Sequence, residues 1–178
     1  MKQRDAKQEP AFSHPLAVAD LPPEGVSLRL VPGEEERAAL AHHVDVLAVP
    51  SLVADLKAMP DGKGGVAIEG DLSATVRQTC VVSLEPFDNA VNERIALRFL
   101  PEGAGIAAAD DADEGDPADV IKGGVIDLGA LVAEFLALGV DPYPRRPGAM
   151  FAPPTAENEA ASPFAALAKL KPKARQGD

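Results

Sequence analysis

The sequence has no tryptophan and one tyrosine, and aromatic residues make up only 4% of its 178 positions. A core built from it must be assembled from Val, Leu, Ile and Ala, which suffices for one domain and leaves little for a second. With a single cysteine, Cys80, no disulfide can close within the chain, which fits a reducing compartment. No apolar run approaches the ~20 residues that a membrane helix needs. The opening stretch MKQRDAKQEPAF is charged, has no apolar segment behind it and does not read as a signal peptide. A cytoplasmic protein without a membrane partner is the expectation.

Charge is plentiful but uneven. The formal net charge is −11, and the seven acids between Glu102 and Asp119 (Glu102, Asp110, Asp111, Asp113, Glu114, Asp116, Asp119), with no Lys or Arg among them, account for the difference between that value and −4 for the rest. An acidic surface repels phosphates, so broad binding to nucleic acid is disfavoured and DNA is not an expected partner. A basic protein suits this balance better.

Period-2 alternation marks the strands. In GVSLRLVP (25–32), Val26, Leu28 and Leu30 share one face. In VAIEGDLSATVRQ, Val66, Ile68, Leu72, Ala74 and Val76 point one way, and the charged residues between them point the other. AVNERIALRFL (90–100) repeats the pattern with Val91, Ile95, Leu97 and Phe99 inward. Weaker strands are expected over 12–21 and 44–57, the latter with Pro50 demanding an edge position or a bulge. MPDGKGG (59–65) reads as a turn.

Two helices complete the pattern. Glu34, Glu35 and Glu36 open a short one over about 34–42, where acids favour the positive end of the helix dipole. A longer one over about 127–138 carries Leu128, Leu131, Val132, Phe135 and Leu138 at helical spacing, with Asp127 as N-cap and Gly139 as stop. The fold class is α+β: a curved antiparallel sheet or partial barrel packed by these helices. The expected layout is a disordered N-terminus over 1–10 and a single domain over 11–150. That domain holds a mobile acidic insertion at about 102–119, rich in Gly, Ala and Asp. An extended tail over 151–178 follows, in which Ser162-Pro163 can start a short helix.

Familiar chemistries find little support. Cys80-Val81-Val82-Ser83 has the spacing of half a zinc site, but Ser83 is not a thiolate, and His14, His42 and His43 form no obvious cluster, so no metal is expected. No nucleophile elbow or papain-like context surrounds Cys80. DGKGG (61–65) lies between strands and lacks P-loop spacing. The acids at 110–119 lack the alternation and terminal Glu of a calcium loop. No catalytic residue and no cofactor follow from these patterns.

Two features remain. Tyr143, Arg145 and Arg146 stand in the proline-rigid segment DPYPRRPG, where Arg can fork onto phosphate or carboxylate. Two readings stand for it: a preorganised contact for RNA or protein, or a strap over the sheet with its arginines paired locally. The tail sets Lys169, Lys171, Lys173 and Arg175 beside Phe164, Leu167 and Leu170, a pattern for folding on binding or for plain solubility.

Three stretches carry a family resemblance. GDLSATVRQTCVVSLEPFDNAV (70–91) resembles the centre of YceD proteins, in which a strand enters a Cys-x-x-Cys-Leu-x-Pro type turn. Cys80, Leu84 and Pro86 match that motif, and Ser83 replaces its second cysteine. IDLGALVAEFLALGVDPYPRRPG resembles the family's helix and exit, with Glu134 at its glutamate, and SPFAALAKLK is similar to its closing Asn-Pro-Phe-Ala-x-Leu motif, with Ser162 for Asn. The lone Cys80 resembles an alphaproteobacterial-type member. The resemblance implies a non-catalytic factor in accumulation of large-subunit (23S) rRNA. Such a factor would act by binding a large-subunit ribosomal protein or pre-rRNA. An RNA-processing enzyme or a structural interaction module is the alternative.

Overall fold

The computed structural model describes residues 10–62, 64–103 and 118–151. The secondary structure runs β1 (Pro15–Ala17), a 3-10 turn (Val18–Asp20), β2 (Val26–Leu30), α1 (Glu34–His43), β3 (Ala48–Pro60), β4 (Val66–Thr79), β5 (Pro86–Pro101), β6 (Asp119–Ile121), β7 (Val125–Asp127) and α2 (Leu128–Gly139). This is the expected α+β class. Five strands pair in the order β2-β3-β4-β5-β6, and β1 pairs with β7 in a second sheet of two. The large sheet is open and not a barrel. It is mixed and not wholly antiparallel, because β6 runs parallel to β5 with Pro101 beside Ile121.

The long strands form where apolar residues alternate. Val66, Ile68, Leu72, Ala74 and Val76 are all buried on one face of β4, joined by Val91, Ile95 and Phe99 of β5 and by Leu52, Ala54, Leu56 and Ala58 of β3. Leu97 is only partly covered at the rim of this core. Pro50 acts as its chemistry demands: β3 has run past β2, which pairs only with Ala54–Ala58, and the register to β4 slips between Ala48 and Ser51. The strand expected from 44 starts later, because Val44 caps α1 and Asp45 turns the chain with φ 55°. The strand expected over 12–21 shrinks to Pro15–Ala17, since its chain bends into the 3-10 turn instead of alternating.

Both helices lie close to their expected bounds. In α1 the Glu36 carboxylate accepts from the Gly33 N–H at 2.6 Å, closing the first turn. In α2 the Asp127 Oδ1 accepts from the N–H groups of Gly129 (2.9 Å) and Ala130 (3.1 Å). The same carboxylate takes the His14 N–H at 2.8 Å and the Ser13 hydroxyl at 2.7 Å, tying the N-terminal segment to the helix. The buried stripe of α2 is Leu128, Leu131, Val132 and Leu136, with Phe135 partly covered. Leu138, expected inward, is 78% exposed: the helix crosses the sheet on a stripe that turns away from it in the last turn. Gly139 ends α2 and also permits its approach to β5, since a Cβ there would stand 2.5 Å from Val91 Cγ1.

Candidate functional site: the Cys80 turn and its strap

β4 ends at Thr79, and residues 80–85 return the chain into β5. The Cys80 N–H donates to Glu85 O and the Leu84 N–H to Cys80 O, each at 2.9 Å. The closure leaves Leu84 with φ 58°, a left-handed conformation unusual for leucine, and 76% exposed.

Residues 141–146 lie over this turn. The Val81 N–H donates to Pro144 O at 2.9 Å, and the Arg146 N–H reaches Cys80 Sγ at 3.4 Å. The Arg146 guanidinium pairs with Glu85 at 2.9 Å, and buried Gln78 donates to Asp141 O at 2.8 Å. The segment is thus a strap, and Arg146 is paired locally as one of the two sequence readings holds. Tyr143 is 73% exposed, and Arg145 is exposed with no ion pair among the described residues.

Cys80 is a free thiol, fully covered by turn and strap yet outside the core cluster. Its pKa is drawn down to about 6, first by the Ser83 hydroxyl and then by the backbone N–H groups of Ser83, Arg146 and Val82. Desolvation opposes this and is outweighed by these donors. Ser83 Oγ is itself buried without a regular hydrogen-bond partner, so its hold on the sulfur is a loose dipole contact. The Ser83 N–H, at 3.4 Å from Sγ, is the firmer restraint. The N–H groups of Ser83 and Arg146 thus point at Sγ from turn and strap. Among the described residues no group of three or more His, Cys, Asp or Glu gathers to hold a metal.

The candidates do not all converge. Cys80, Leu84, Pro86, Tyr143, Arg145 and Arg146 share one end of the molecule, through the turn and the strap. Glu134 lies elsewhere, exposed on α2 over a shallow hollow that it shares with Asp119, Lys122 and Asp127. Phe164, Lys169, Lys171 and Lys173 fall outside the described residues, as does most of the acidic insertion. Sequence reading missed Glu85 and Gln78, whose polar groups hold the strap; a buried glutamine on an inward strand position was the available signal.

Residues 68–171 match the family described as "Large ribosomal RNA subunit accumulation protein YceD". The chain belongs to the YceD family. That match takes in the Cys80 turn, the strap and α2. The YceD name links the family to accumulation of large-subunit ribosomal RNA. No curated protein and no solved structure matches the chain. No helix among the described residues is long and apolar enough to cross a membrane.

Proposed function

We propose that the protein is a non-catalytic cytoplasmic factor that supports accumulation of 23S rRNA by binding a basic large-subunit ribosomal protein. The match to the YceD family over residues 68–171 carries this reading. Charge favours a protein partner over RNA: the net charge of −11 repels phosphates and attracts a Lys- and Arg-rich surface. The contact surface is the turn-and-strap end, where Leu84 and Tyr143 offer exposed apolar area and Arg145, without an ion pair among the described residues, can fork onto a carboxylate of the partner. Arg146 stays with Glu85 and fixes the strap.

Deletion of the gene is expected to lower 23S rRNA relative to 16S rRNA. A copy carrying Leu84→Ala, Tyr143→Ala and Arg145→Ala, all exposed changes that spare the core, is expected to restore it poorly. Capture from extract with and without nuclease separates the partner classes. Retention of a basic ribosomal protein after nuclease treatment supports the reading, and loss of every ribosomal partner with the RNA refutes it. An unchanged rRNA ratio on deletion refutes the ribosomal role itself.

A further inference from the structure

A groove of about 590 Å³ opens between the start of β3, the end of β4 and the last turn of α2. Val44, Val46, Leu47, Val81, Val140 and Pro144 give it an apolar lining. Leu47 is 60% exposed and Val81 44%, so this surface is bare among the described residues. Two carboxylates, Asp45 and Asp141, stand in the same lining, and no ion pair among the described residues engages either of them. An occupant that fits must offer apolar anchors together with positive charge.

We infer that this groove receives the chain's own segment 162–171, SPFAALAKLK. Phe164, Leu167 and Leu170 recur at a spacing of three, which in a helix would set them along one side over nearly two turns, and Lys169 and Lys171 bring the charge that Asp45 and Asp141 lack. The family match ends at Lys171, so the segment belongs to the same family unit as the domain that carries the groove. The connection is long enough. Pro144 lines the groove, the described chain ends at Phe151, and residues 152–161 can span up to ~36 Å if extended. A domain of this size has a radius of gyration of roughly 14 Å, so the segment reaches this face without strain. Docking covers Leu47 and Val81 and brings the tail's lysines to the end of the molecule that carries Arg145. The inference stands whether or not the ribosomal reading holds.

The test uses the full chain with a photoreactive benzoyl-phenylalanine in place of Leu47, an exposed position that the core does not need. Irradiation and mass spectrometry are expected to find position 47 joined within one chain to peptides carrying Phe164 or Leu167. Phe164→Asp with Leu167→Asp is expected to cut the yield roughly tenfold or more, as for loss of a buried anchor. Asp45→Asn with Asp141→Asn keeps the backbone roles of both residues, since Asn also tolerates a positive φ, and is expected to lower the yield several-fold. Crosslinks to any other segment, or none to the tail, overturn the inference. Mixed crosslinks in a blend of isotope-labelled and unlabelled chains overturn it too, by assigning the groove to a second copy.

Discussion

Replacing Asp127 by Ala tests how this fold is fastened. The carboxylate accepts four hydrogen bonds, two from the first turn of α2 and two from the N-terminal segment. Loss of the cap alone costs about 1 kcal/mol within a range of roughly 0.5–2. Hydrogen bonds to a charged group contribute about 1.5–3 kcal/mol each, though not additively, and the His14 N–H would be left partly buried without its acceptor. A loss of about 2–4 kcal/mol is expected. With a urea slope of about 2 kcal/mol per molar, the middle of the usual range, the unfolding midpoint should fall by roughly 1–2 M. Asp127→Asn keeps an oxygen for the three N–H donors and should lose less than half as much. The pH dependence has a definite sign. Burial opposes ionisation of Asp127, but the His14 N–H, the Ser13 hydroxyl and the helix N–H groups outweigh it and hold the pKa below 3.8. The stabilisation is therefore complete above 3.8 and disappears as pH falls through the lower folded value, so parent and Ala variant should converge in acid. An Ala variant as stable as the parent at neutral pH, or an Asn variant as damaged as the Ala one, would refute the argument.

Two further predictions concern packing and the thiol. Ile68→Ala and Leu136→Ala, both at fully buried sites, should each cost roughly 2–5 kcal/mol, whereas Leu138→Ala should stay within about 0.5 kcal/mol by the same urea measurement. A large loss at Leu138 would place the wrong stripe against the sheet. Thiolate ultraviolet absorbance should titrate with a midpoint near 6, and Ser83→Ala should move it upward. Because the folded pKa is depressed from 9.0, this group's stabilisation is complete above that value and is lost as pH falls through about 6. A midpoint left at the ordinary thiol value would show that the donors around Sγ do not act on it.

What could be read in the sequence was local. The alternation in β4 assigns its buried face because a strand's period leaves no choice once one side is wet. Asp127 announces its cap through residues two and three positions away. Pro50 announces a break in pairing because it lacks an N–H. What stayed hidden depends on distant partners. Leu136 and Leu138 fit a helical stripe almost equally well, and only the crossing of α2 over β5 decides between them. The parallel β6 and the β7 that pairs with β1 are three residues each, too short to show a period. The character of Cys80 rests partly on an N–H 66 residues away, and Arg146 finds Glu85 across the same gap between turn and strap.

Leu84 sets two kinds of selection against each other. Its left-handed backbone costs roughly 1–2 kcal/mol that a glycine would not incur, and its side chain lies 76% in water, where it contributes little to folding. A search for thermal hardiness in isolated protein should therefore arrive at Leu84→Gly and count it an improvement. If Leu84 contacts a partner, a search for growth of the cell should discard the same change. The residue would then have to be understood from outside the molecule, as one that the fold bears and that another surface requires.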